Sequence, residues 1–132
     1  MPICDLRSII QAVNSAFPAD ILGLHVAGHG PDARVVTVTG EVDTVTAPQL
    51  AAVLTAQLAT AQLVVVNLDD VQFLGSAGLQ VLFEANELAI DRDCRLWFVC
   101  NCPVANLALE TTGLRQHLSF ADDVASALGN GL

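Results

Sequence analysis

The run LVVVNL, Leu63 to Leu68, is almost continuously apolar and β-branched. A strand with one face in water alternates apolar and polar residues, whereas a strand covered on both faces does not need to. This run therefore predicts a central strand, and it obliges the rest of the chain to supply cover on both sides of a sheet. RLWFVCN, Arg95 to Asn101, reads as a second strand of the same kind.

The cover is visible as helical periodicity. Leu50, Val53, Leu54 and Leu58 recur at helical spacing in APQLAAVLTAQLATAQ, with Thr46 placed to cap the helix. Ala77 to Asp91 reads as a helix whose polar residues Gln80, Glu84, Glu87 and Asp91 fall on one stripe, predicted to be solvated and open to a partner. CPVANLALETTGL carries a helix opening near Pro103 and closing at Gly113, and LSFADDVASALGNGL adds a short strand and a capped helix.

Upstream, two β-like runs flank the turn-rich stretch Gly28 to Asp32 and predict a hairpin. At the start of the chain, Leu6, Ile9, Ile10, Val13 and Phe17 recur at helical spacing ahead of Pro18 and predict a short amphipathic helix. The order of elements argues for an α/β domain with a mixed sheet packed with helices. The expected division is a helical extension over residues 1–20 and one domain over 21–132.

A chain of 132 residues is long enough to bury a core without metals or disulfides. Fourteen acidic residues against five basic ones give a net charge of −9, which repels nucleic acid phosphates and anionic lipid headgroups. The apolar runs are far shorter than the ~20 residues of a membrane helix. The start of the sequence lacks the pattern of a secretory signal, so a cytoplasmic protein is expected. Neither nucleic acid nor membrane is an expected partner.

Candidate chemistry is sparse. Cys4, Cys94, Cys100 and Cys102 do not form a disulfide framework or a metal ligand set, and they read as small apolar residues. Cys100 and Cys102, near the end of a strand, would share a face. No metal and no cofactor is expected. A nucleophilic serine needs a base within reach, yet none of His25, His29 and His117 is tied by sequence to Ser76. GSAG does not match the Gly-x-Ser-x-Gly elbow of hydrolases, and Gly75 and Gly78 form no nucleotide fingerprint.

What Ser76 does have is position and isolation. In VQFLGSAGLQVL it lies between a strand-like and a helix-like run, at or next to a helix N-cap, where a serine commonly does no more than cap. From Ala61 to Glu110 it is the one serine or threonine, and the chain has no tyrosine. A phosphate at a helix N-terminus meets unpaired N–H groups and the positive end of the dipole, whereas the same charge inside an interface opposes binding. Ser76 can therefore act as a switch.

Three blocks, VTVTGEVDTVTAPQL, VVVNLDDVQFLGSAGLQVL and CRLWFVCNCPVANLALETTGL, resemble in order and spacing the STAS family, specifically the bacterial anti-sigma factor antagonists. The resemblance runs from about Leu22 to the end of the chain. It implies a single STAS-like domain that is not an enzyme and binds an anti-sigma factor of the GHKL kinase type, thereby freeing a sigma factor. It further implies that the kinase phosphorylates Ser76 to release the antagonist, and that a PP2C-type phosphatase restores it. Asp43 matches the family's acidic residue near the acceptor. The partner-binding set implied by these blocks and the helix stripe is Asp43, Thr44, Gly75, Ser76, Ala77, Gly78 and Gln80.

Two positions depart from the family pattern. Gly75 stands where aspartate is common, and Ala77 stands where a second hydroxyl is common. The second departure leaves Ser76 as the less ambiguous acceptor. The first motivates an alternative in which the same fold is a phosphorylation-independent interaction module of a signalling assembly. A hydrolase or redox protein using Ser76 or the Cys100 and Cys102 pair is a third reading, from a different class.

Overall fold

The computed structural model describes residues 22–131. The elements, in chain order, are β1 (Leu22–His29), β2 (Ala33–Val42), α1 (Ala47–Thr60), β3 (Leu63–Leu74), α2 (Ser76–Asp91), β4 (Arg95–Val99), α3 (Pro103–Thr111), α4 (Leu114–His117), β5 (Phe120–Ala121) and α5 (Val124–Gly131). The helix expected over the first twenty residues lies outside the described part of the chain.

The five strands form one sheet in the order β1-β2-β3-β4-β5. β1 pairs with β2 in antiparallel register as the expected hairpin, turning at Gly30, whose φ of 76° is a conformation glycine adopts without steric cost. Every other neighbouring pair is parallel. Each parallel step needs a crossover from the end of one strand to the start of the next, and the helical segments of the sequence supply these crossovers.

β3 is the middle strand, and Val64, Val65 and Val66 are fully buried, as a run without alternation requires. Its even-numbered side, Val64, Val66 and Leu68, joins Val36, Val38, Leu96 and Phe98 under α1, α2 and α3, which contribute Leu50, Leu54, Leu58, Leu82 and Leu109. Its other side, Leu63 and Val65, joins Ala33, Val35 and Val99 beneath Ala127 of α5. At ~25 cal/mol per Å² of apolar area removed from water, a two-sided core of aliphatic side chains is the dominant stabilising term.

The sequence reading ends the central strand near Leu68, but β3 continues to Leu74. It follows β2 through two register shifts, pairing Thr39 with Asp70, Glu41 with Phe73 and Val42 with Leu74. The polar letters Asp69, Asp70 and Gln72 hide this extension, because they occupy a segment where the strand is no longer covered on both faces. The extension carries the chain well past the end of β4 before α2 begins.

Candidate functional site

The site is built where β3 turns into α2. Gly75 is the N-cap residue, extended at φ −87° and ψ 178°. Its carbonyl accepts the first helical bond, from Leu79 N–H at 3.0 Å. Its own N–H donates to the carbonyl of Val42 at 2.9 Å, which ties the junction to the end of β2. Ser76 is therefore the first residue of the helix, and its side chain is exposed.

Of the two placements the sequence allows, at the N-cap or next to it, Ser76 takes the second. No side chain caps the helix. The N-cap role falls to Gly75 because its extended backbone and carbonyl start the ladder, and a residue one position later no longer overhangs the first-turn N–H groups. The Ser76 hydroxyl is thus not committed to the fold.

Gly78 explains how closely α2 approaches the sheet. A Cβ at this position would lie 2.5 Å from Val42 Cγ1 and 2.8 Å from Leu74 Cδ1, so only hydrogen fits. Gly78 is buried, and it positions the surface rather than presenting it. Ala77 is half-buried. Gln80, one turn beyond Ser76, is exposed and donates to Glu84 Oε2 at 3.1 Å.

Asp43 and Thr44 follow Val42 and so flank the same junction. Asp43 Oδ1 accepts from Val45 N–H at 2.9 Å, Thr46 N–H at 3.0 Å and the Thr46 hydroxyl at 3.2 Å. The Thr46 N–H bond is the foremost reason its carboxyl is held below its ordinary pKa, against an opposing effect of desolvation. These bonds commit Oδ1 to the turn. Thr44 is exposed, whereas Thr46 is fully buried and its hydroxyl lies 2.9 Å from the carbonyl of Glu41.

Two surface residues escaped the sequence reading. Val45 is 67% exposed in the turn after β2, and Phe73 is 47% exposed beside Gly75. A Cβ on Gly75 would lie 3.0 Å from the Phe73 ring edge. Exposed apolar side chains are thus present on both segments that meet at the junction, the turn after β2 and the end of β3. The stripe Gln80, Glu84, Glu87 and Asp91 is exposed as expected, and Phe83 on the same face stacks on His117 with ring centroids 5.0 Å apart.

The remaining chemical candidates are placed elsewhere. His117 Nε2 lies 3.4 Å from Glu87 Oε2, far along α2 from Ser76, and His25 and His29 are on β1. β4 ends at Val99, so the strand argument that put Cys100 and Cys102 on one face lapses. The Cys100 thiol turns to the carbonyl of Cys102, and the Cys102 thiol donates to Val71 O at 2.9 Å. Among the described residues, no group of three or more His, Cys, Asp or Glu side chains is arranged to hold a metal ion. No described helix is long and apolar enough to cross a membrane.

Comparison with known proteins places this architecture. The STAS domain family matches residues 26–127, and the chain belongs to it. The fold is similar to that of an anti-sigma factor antagonist from Mycobacterium paratuberculosis, with 30% identity and a TM-score of 0.76 over 86% of this chain and 96% of that one. It is also similar to the Bacillus cell fate determinant SpoIIAA in its phosphorylated form, at 14% identity and a TM-score of 0.64 over 82% of this chain and 98% of that one. A Moorella thermoacetica RsbS variant gives 16% identity and a TM-score of 0.68 over 82% and 93%. These last two are likenesses of fold alone. No curated protein matches the sequence.

Proposed function

We propose that this protein is an anti-sigma factor antagonist. It binds an anti-sigma factor through the surface around Ser76 and thereby frees a sigma factor, and phosphorylation of Ser76 by the bound GHKL-type kinase ends the complex. The observation that carries this reading is the exposed Ser76 hydroxyl at the first position of α2, released from any capping duty, in a chain of the STAS family. Asp43, Thr44, Gly75, Ala77 and Gln80 form the partner surface with it, and Gly78 sets its shape.

In the transfer step the Ser76 oxygen bonds to the γ-phosphorus of the kinase's ATP while the bond from that phosphorus to the β-bridging oxygen breaks. ADP leaves, and the hydroxyl proton passes to a base or water on the kinase side. The antagonist contributes the nucleophile and its position. The product carries a charge of about −1.5 to −2 beside the N-terminus of α2, whose first turn contains no acidic residue to oppose it. In a complex, that anion is enclosed against the partner near the Phe73 ring and must lose its water, which favours release. A PP2C-type phosphatase would reverse the modification.

Gly75 supports a second reading, in which the same surface binds without phosphorylation, because the N-cap supplies no carboxylate beside the hydroxyl. The two are separated by capture of partners from native lysate with the parent and Ser76→Asp in parallel, followed by incubation of the captured kinase with ATP. The first reading expects a kinase retained by the parent, lost with Ser76→Asp, and a phosphate on the parent that is missing from Ser76→Ala. A kinase that modifies Ser76→Ala as well as the parent, and binds Ser76→Asp equally tightly, refutes it.

A further inference from the structure

The charges of this domain are sorted between the two ends of its sheet. Arg34 near the start of β2, Arg92 just past α2 and Arg95 at the start of β4 all lie at the end where the parallel strands begin, together with Asp32, Asp91 and Asp93. Both signs are interspersed there. The fourth described arginine, Arg115, is bound to Asn106 Oδ1 at 2.6 Å and lies over the Phe120 ring at 4.5 Å.

The opposite end, where Ser76 sits, carries Glu41, Asp43, Asp69, Asp70, Asp122 and Asp123, and the arginine nearest to it, Arg115, is engaged by Asn106, which donates to the Cys100 carbonyl just past β4 at 3.0 Å. Glu41 pairs in register with Phe73, so the carboxylate and the exposed ring share one face of the sheet. Asp69 and Asp70 line a shallow recess next to them with Thr39 and Gln72. Asn101 ties the recess to the end of β5 by donating to Asp69 Oδ1 at 2.8 Å and to the Asp122 carbonyl at 3.1 Å. Two exposed apolar side chains, Val45 after β2 and Phe73 near the end of β3, thus lie at an end rich in carboxylates.

We propose that this end docks a protein surface that carries apolar side chains together with arginine or lysine, and that its two components set different rates. The carboxylates accelerate encounter, because long-range attraction acts on association and is screened by salt. The exposed apolar side chains and the Ser76 hydroxyl set how long the complex lasts, because they are felt only after contact. The inference rests on the reading of the Ser76 end as the partner surface, and it adds the partner's chemistry and a division of kinetic labour.

Two triple variants test it. Glu41→Gln/Asp70→Asn/Asp122→Asn removes three charges at the Ser76 end, and Asp32→Asn/Asp91→Asn/Asp93→Asn removes three at the other. None of these six side chains makes a hydrogen bond that holds the fold. Both variants change net charge equally, so only location distinguishes them. The first probe is a synthetic peptide of alternating arginine and leucine, titrated into isotope-labelled protein. Amide shifts at Val45, Phe73, Gly75 and Ser76 are expected. They should weaken about tenfold in the first variant and hold in the second, and fade on raising salt from about 0.02 M to about 0.5 M.

The second probe is the anti-sigma factor captured with the parent chain. Its association rate is expected to fall about tenfold in the first variant alone, while Ser76→Asp changes dissociation instead. Peptide shifts spread over the whole surface, or equal losses in both variants, overturn the inference. Partner association indifferent to the first variant overturns it as well, while leaving the antagonist reading intact. Peptide shifts confined to the Ser76 end, with no anti-sigma factor captured, uphold the surface and remove the reading on which its partner was named.

Discussion

Asp43 and Thr46 hold each other's backbone: Thr46 N–H donates to Asp43 Oδ1 at 3.0 Å, and Asp43 N–H donates to Thr46 Oγ1 at 2.9 Å. The pair closes the turn that carries Thr44 and Val45 just past Val42, whose carbonyl holds the Gly75 N–H. Because Thr46 is fully buried, its hydroxyl cannot be replaced by water. Thr46→Val preserves shape but leaves the Asp43 N–H without its partner, and is expected to cost about 1–3 kcal/mol. Thermal unfolding followed by circular dichroism should show a loss of several degrees, largely restored in Thr46→Ser. A Thr46→Val protein as stable as the parent would show that the pair does not hold the turn.

The same pair predicts acid sensitivity. The bonds to Asp43 lower its carboxyl pKa in the folded state, so folding favours the charged form. Its contribution is fully present above the unfolded value of about 3.9 and is lost as pH falls through the folded value. Asp123 is lowered for a parallel reason, since its carboxylate accepts the Ser126 N–H at 2.7 Å. Denaturant midpoints of the parent should therefore drop between neutral pH and about pH 3, and drop less in Asp43→Asn. Equal drops in the two proteins would contradict the assignment.

Gly78→Ala tests the packing that places the serine. A methyl group would meet Val42 Cγ1 and Leu74 Cδ1 at 2.5 and 2.8 Å, and both residues belong to the core. Overpacking of this kind costs about 1–3 kcal/mol, against which alanine returns about 1 kcal/mol of helix propensity. Two simultaneous contacts on stiff buried side chains put the cost in the upper part of that range. A net destabilisation of about 1–2 kcal/mol is expected by chemical denaturation. Partner binding should weaken as well, because relief requires the first turn of α2 to move. An unchanged midpoint would mean that the helix yields at no cost.

Gly75→Asp should behave in the opposite way. The φ of −87° admits any residue, and an N-cap carboxylate would reach first-turn N–H groups that no side chain serves now. The gain from capping and the helix dipole is a few tenths to about 1 kcal/mol. Against it stands the contact of the new Cβ with Phe73 at 3.0 Å, which an exposed ring can relieve by turning outward. A small rise in melting temperature is expected, and a larger one when Phe73→Ala is the background. Equal effects in the two backgrounds would show that the ring does not limit the site.

The sheet was legible because Leu63 to Leu68 can satisfy a run without alternation in only one setting, and its place as the middle strand follows from that. The hairpin, the helix carrying Leu50, Leu54 and Leu58, and the exposed stripe on α2 were legible for similar reasons of period. Phe73 was not. It follows Asp69, Asp70 and Gln72, and a sequence with no register cannot tell that the strand continues, or that Val71 and Leu74 point inward while Phe73 does not. Ser76 stands out by its isolation, but the sequence leaves open whether it is the N-cap or the residue next to it. The difference matters, since the N-cap and the first helical residue aim their side chains differently. The sorting of charge between the two ends depends on strand order and direction, which no local pattern encodes.

The bond from Gly75 N–H to the Val42 carbonyl has one more implication. The serine is aimed by main-chain atoms, and these are the same for every amino acid except proline. The exposed residues 44, 45 and 73 can therefore be exchanged while the hydroxyl stays where it is, so a duplicated copy of this domain could be reprogrammed toward a new recipient one surface residue at a time. What such a lineage cannot vary is the missing side chain at Gly78, where any addition moves the bearing on which the helix rests.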